Sequence, residues 1–154
     1  MPNIVLLLER PDLIPVLAAW FESEWSPYYG PSGPGDATGD LHRAAGRDLP
    51  VCLVAVTECG DPVGTITLSK TSIPHWAPGP WATALFVAPA VRGQGIGATL
   101  IAAIEAEART RGYERLFLAT DCAQRIVESR GWVALDEAET LRGRATVFEL
   151  RLTS

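Results

Sequence analysis

Residues 91–99 read "VRGQGIGAT": Gly93, Gly95 and Gly97 alternate behind Arg92 and ahead of an apolar-striped segment. Glycine has no Cβ, so a backbone built this way can take positive φ and approach another group closely. Leu100, Ile101, Ile104 and Ala108 follow at helical spacing, and Glu105, Glu107, Arg109 and Arg111 fall on what that spacing predicts to be the wet face. Gly112 stands where a C′ glycine ends a helix. Successive N–H groups at a helix N-terminus, where the macrodipole is positive, suit an anion.

Three readings compete for these glycines. A P-loop needs Lys and then Ser or Thr after the last glycine, but Ala98 and Thr99 follow Gly97 and no lysine is near. A dinucleotide site is better supported, because Gly93, Gly95 and Ala98 satisfy G-x-G-x-x-[GA] and Asp121 ends the next strand. Against it, "APAV" and Arg92 intervene between strand and first glycine, and the chain after Asp121 is too short to complete a doubly wound sheet. A plain strand-to-helix turn would need one glycine, not three.

Working outward, "WATALFV" is the strand before the loop and "ERLFLAT" the strand after its helix. "NIVLLLER" reads as a first strand, and Leu13, Leu17, Trp20 and Phe21 repeat at helical spacing through about Trp25. "SPYYGPSGPGDATGD" is loop, with a short helix capped by Thr38 or Asp40 beyond it. "LPVCLVAV" and "PVGTITLS" form a hairpin across "TECGD". "DCAQRIVESRG" is a short helix, and "WVALDE" and "ATVFELRL" are closing strands. The expected fold is α/β of the α+β type over one domain, residues 1–154: a mixed, largely antiparallel sheet of about seven strands flanked by about four helices.

With 47% hydrophobic residues the chain can bury a core. A net charge of −5 argues against nucleic acid, which needs a clustered basic surface. Cys52, Cys59 and Cys122 are odd in number and lack CxxC spacing, so neither a disulfide framework nor a zinc site is expected. No segment has the length of a membrane span and no leader is evident, which predicts a cytoplasmic protein with no membrane partner.

The stretch "LFVAPAVRGQGIGATLIAAIEAEARTRGYERLFLAT" resembles the acetyl-CoA-binding core of the GNAT superfamily of N-acetyltransferases. Its pattern is a strand ending V-x-P, then [RQ]-x-x-G-x-[GA] opening a long helix. Val87, Pro89, Arg92, Gly95 and Gly97 match it, and "ESRGW" matches the family's closing G-[FW]. The resemblance implies acetyl-CoA as co-substrate, with the backbone of Arg92, Gly93, Gln94, Gly95, Ile96, Gly97 and Ala98 cradling its pyrophosphate. It further implies that Phe86 and Val87 pair with the pantetheine arm and that the Val87 N–H stabilises the developing oxyanion. Thr120 stands where many relatives carry an Asn that contacts pantetheine.

The implied activity is direct acetyl transfer to an amine of a small-molecule or peptide acceptor; a homodimer is compatible with the resemblance. The sequence departs from the family at two places. Its strand "WATALFV" lacks the carboxylate many members carry there, and Val127 occupies the position of the usual tyrosine. A catalytically silent acyl-CoA-binding sensor or partner-binding module is therefore the alternative. On the acceptor side, Glu24, Trp25, Tyr28 and Tyr29 would suit a cation, and His75 has a pKa suited to a base.

Overall fold

The computed structural model describes residues 2–26, 28–29, 33–70, 72, 79–120, 122–140 and 143–152. The strands are β1 (Asn3–Leu6), β2 (Val51–Val56), β3 (Pro62–Ser69), β4 (Trp81–Val87), β5 (Arg115–Thr120), β6 (Val133–Thr140) and β7 (Gly143–Arg151). The helices are α1 (Ile14–Glu24), α2 (Ala37–Arg43), α3 (Ile96–Thr110) and α4 (Gln124–Ser129). Short 3-10 turns cover Leu7–Glu9, Pro11–Leu13 and Pro89–Val91.

The strands form one seven-stranded sheet in the order β1-β2-β3-β4-β5-β7-β6. Every neighbouring pair is antiparallel except β4 and β5. That parallel pair registers only at Trp81↔Phe117 and Ala82↔Leu118, whereas β5 stays paired to β7 as far as Thr120↔Thr146. Beyond Ala82 the two strands therefore part, leaving an open edge on β4 in the middle of the sheet.

Both faces are covered, so β2 is buried along its whole length and its alternation sorts side chains between two cores. Val51, Leu53 and Ala55 join Leu100, Ile101 and Ile104 of α3. Cys52, Val54 and Val56 join Ile14, Leu17, Ala18 and Phe21 of α1 and Leu41 of α2. Each such aliphatic side chain contributes about 1.5–3 kcal/mol through burial.

The structure corrects three readings of the sequence. The first strand ends at Leu6, and the rest of its apolar run turns into 3-10 geometry with Leu7 buried. The cap of α2 is Asp36, whose carboxylate accepts from the Gly39 amide at 3.0 Å, rather than Thr38 or Asp40. Glu105 is not on the wet face: it is 3% exposed, because its position continues the stripe of Ile101 and Ala108. Its carboxylate accepts from Arg130 Nε and Nη2, each at 2.9 Å, and from Trp132 Nε1 at 3.0 Å. Burial alone would raise its pKa, but these donors hold it below the usual value.

Candidate active site

The site begins at a bulge in β4. Thr67 pairs with Thr83 and Thr65 with Phe86, so Ala84 and Leu85 together oppose Ile66. Ala84 has a φ of 53°, a left-handed conformation costly for a residue with a Cβ, and Thr65 Oγ1 donates to its carbonyl at 2.9 Å. Past the bulge, the Ala88 amide donates to Val63 O at 2.9 Å, which fixes the alternation of the strand end. Phe86 turns its backbone groups toward β3, and Val87 turns its N–H and C=O to the open edge. Of the two residues expected to offer backbone there, only Val87 does so. Phe86 instead places its ring in the core under α1.

The loop from Ala88 to Gly95 follows directly. The Val91 amide donates to Ala88 O at 3.0 Å and the Arg92 amide to Pro89 O at 3.4 Å, so the expected cradle loses its first member, Arg92. Gly93 and Gly95 have φ of 83° and 84°, and a Cβ added to either would meet nothing within 4 Å. Gly95 caps α3 in the left-handed conformation with no side-chain hydrogen bond, and Thr99 is the first residue of this turn whose amide reaches a backbone acceptor, Gly95 O at 3.1 Å. The amides of Gly93, Gln94, Gly95, Ile96, Gly97 and Ala98 thus have no acceptor among the described residues, at the positive end of a 15-residue helix. Gly97 has a different reason to be glycine. A Cβ there would lie 3.2 Å from Ile126 Cδ1 of α4 and 3.9 Å from Val87 Cγ2, so its absence lets α3, α4 and β4 converge.

The remaining expected residues divide. Thr120 Oγ1 accepts from the amides of Cys122 at 3.2 Å and Ala123 at 2.9 Å, which spends its oxygen on the turn into α4. Tyr28, Tyr29 and Trp25 do come together: Tyr29 lies 4.8 Å from Tyr28 and 6.3 Å from Trp25 between ring centroids, and Trp25 lies 6.2 Å from Phe86. Trp20 stacks on Phe86 as well, 5.1 Å between centroids. Tyr29 Oη donates to Asp40 Oδ2 at 2.7 Å, and Arg43 pairs with the same carboxylate. Glu24 pairs with Arg92 Nη2 at 3.5 Å. His75 lies outside the described residues, as does Asp121.

Among the described residues two candidate positions for acid or nucleophile work are buried. Val127 is fully buried in the core under α3. Burial pushes the Cys52 thiol up to about 12, a hydrogen bond from Thr67 opposing it, so it offers no thiolate nucleophile. Introducing tyrosine at 127 adds a ring to a packed interior. We expect Val127→Tyr to lower stability by about 1–3 kcal/mol, read by thermal unfolding, rather than to supply an acid. Unchanged stability would mean that the ring escapes the core toward the β4–β5 opening.

A model of the acetyltransferase (GNAT) family matches residues 16–131. No curated protein matches the sequence. Among solved structures, an aminoglycoside 6'-N-acetyltransferase complexed with coenzyme A has a TM-score of 0.79 at 16% identity, covering 99% of this chain and 98% of its own. The aminoglycoside 6'-N-acetyltransferase from Enterococcus faecium gives 0.75 at 17%, with coverage of 99% and 98%. The yncA protein from Salmonella typhimurium, solved with its cofactor acetyl-CoA, gives 0.74 at 17%, with coverage of 100% and 95%. At these identities the structural likeness establishes the shared fold. The family match takes in most of α1, the β4 edge, the glycine-opened α3 and α4 in one span, and the chain belongs to the acetyltransferase (GNAT) family.

Proposed function

We propose that the protein transfers the acetyl group of acetyl-CoA directly to a primary amine of a small-molecule or peptide acceptor. The observation that carries this reading is the run of amides from Gly93 to Ala98, without acceptors among the described residues, beside the open edge of β4. Backbone donors at a helix N-terminus suit a pyrophosphate, and an unpaired strand edge suits an amide-bearing arm that pairs as a strand does. The Val87 N–H, directed to that edge, is the group positioned to take up charge at the thioester oxygen.

The acceptor side is the aromatic group of Trp25, Tyr28 and Tyr29, on the opposite side of β4 from α3. Ring faces suit a cationic amine, and the aminoglycoside enzymes among the structural neighbours act on such molecules. Glu24 is left out of this group, because its carboxylate is paired with Arg92. The amine must be neutral when it attacks, so rate should rise with pH as it loses its proton. The departing thiol, with an ordinary pKa near 8.5, leaves tolerably as thiolate without a tyrosine at 127.

Release of free thiol from acetyl-CoA with a panel of amines tests the reading. Tyr28→Ala should then raise the acceptor KM about three- to tenfold while leaving acetyl-CoA affinity within about twofold. An unchanged acceptor KM would return Tyr28 to packing alone. A second reading is favoured by one observation, the buried valine at 127: a silent acyl-CoA-binding module. It predicts acetyl-CoA binding by calorimetry with no thiol release for any amine.

A further inference from the structure

The sequence pattern puts Arg92 with the phosphate-binding loop, but its side chain is committed elsewhere. Arg92 Nε donates to Val87 O at 2.8 Å. Nη2 of the same guanidinium reaches Glu24 Oε1 at 3.5 Å, at the last residue of α1. Its carbon lies 5.5 Å above the Phe86 ring, which is itself buried. The end of β4 and the end of α1 are therefore both tied to one planar cation in the loop before the glycine run. Arginine suits this task, because its rigid fork can donate in two directions while its face lies on a ring; a lysine ammonium is a single point.

The consequence falls on Val87. Beyond Ala82 no strand among the described residues pairs with this edge of β4. Arg92 supplies that missing partner. It takes the Val87 carbonyl, which would otherwise present an unpaired acceptor to the open edge, and it fixes the peptide whose N–H faces the same way. A carbonyl left free there would oppose charge developing at a nearby oxygen, and a loosened strand end would misdirect the donor. Both faults act on the transition state and leave the amides of Gly93 to Ala98 in place.

Resting on the acetyl-transfer reading, we propose that Arg92 is a positioning residue for the Val87 amide, oriented by Glu24 and Phe86, and is not a ligand of the cofactor phosphates. Arg92→Lys and Arg92→Ala should lower kcat about ten- to hundredfold, with acetyl-CoA Kd by calorimetry within about threefold of wild type and melting temperature unchanged. Added guanidinium at millimolar concentration should restore part of the kcat of Arg92→Ala. Glu24→Gln should lower kcat about threefold in the wild type and have no further effect in the Arg92→Ala background, since it acts through the missing side chain.

A Kd weakened tenfold or more, with saturated kcat preserved, would make Arg92 a phosphate ligand and overturn the proposal. So would unchanged kcat and Kd, or a Glu24→Gln effect that persists without Arg92. A wild type that binds acetyl-CoA yet releases no thiol with any amine overturns the transfer reading and this role together. Normal wild-type turnover with indifferent Arg92 variants overturns this role alone.

Discussion

Replacing Gly95 by glutamate is expected to weaken acetyl-CoA binding at least a hundredfold, whereas Gly95→Ala should weaken it no more than about threefold. The contrast follows from geometry. With φ at 84°, any side chain at this position costs conformational energy of about 1–2 kcal/mol. That strain is present with or without ligand, so it appears chiefly as lost stability in both variants. A Cβ at Gly95 meets nothing within 4 Å, so alanine creates no collision. Glutamate differs by placing a negative charge among the amides of Gly93 to Ala98, where an anion is expected. Like charges about 4–6 Å apart near a protein surface repel by roughly 3–4 kcal/mol before salt screening, enough for the hundredfold loss. Titration calorimetry of both variants at one ionic strength decides it. Equal affinities for wild type and Gly95→Glu would reduce the glycine run to a turn.

The parts of this molecule that could be read from its sequence are those set by local pattern. Alternation and helical stripes depend on neighbours a few residues away, so β2, β3, β4, α3 and β5 stand where the pattern put them, within a residue or two. The glycine run was equally legible, because positive φ at Gly93 and Gly95 is a demand of the backbone itself. What could not be read depends on partners distant in sequence. The opening between β4 and β5 exists because pairing stops at Ala82↔Leu118, and no feature within either strand announces that. The Arg92 clamp likewise joins residues from α1, β4 and the loop. The cap of α2 is ambiguous in sequence for a local reason. Asp36, Thr38 and Asp40 are all good capping types, and only the backbone direction at Gly39 selects among them.

The sequence carries a signal for Glu105 too: a carboxylate on the same helical stripe as Ile101 and Ala108 has to be buried, and a buried carboxylate needs donors. Those donors are Arg130 and Trp132, residues of the same "ESRGW" stretch that carries the family resemblance. They tie the middle of α3 to the end of α4 and the start of β6, and so hold α4 against the site.

Breaking this cluster is expected to produce a large loss of stability. Glu105→Ala leaves the Trp132 indole N–H without its acceptor and Arg130 without its counter-charge. The usual cost of stripping one partner from a buried pair is about 3–5 kcal/mol. Arg130 is about one-third exposed (36% of its side chain), so water takes over part of its solvation, and we expect about 2–4 kcal/mol for Glu105→Ala. Trp132→Phe, which removes one donor and trims the indole to a single ring, should cost about 1–3 kcal/mol.

The same cluster sets a pH dependence whose sign is fixed. Because the donors hold Glu105 below its ordinary pKa of 4.5, the unfolded chain binds its proton more readily than the folded one does. The contribution of Glu105 is therefore complete above about pH 4.5 and is lost as pH falls through the depressed folded value. Urea unfolding of wild type and Glu105→Gln at neutral pH and at successively lower pH measures this directly. The stability gap between them should be constant in the neutral range and narrow only under acid. A gap that stayed constant into acid, or that narrowed toward alkaline pH, would mean that the carboxylate charge contributes nothing and that Glu105 serves by its shape alone.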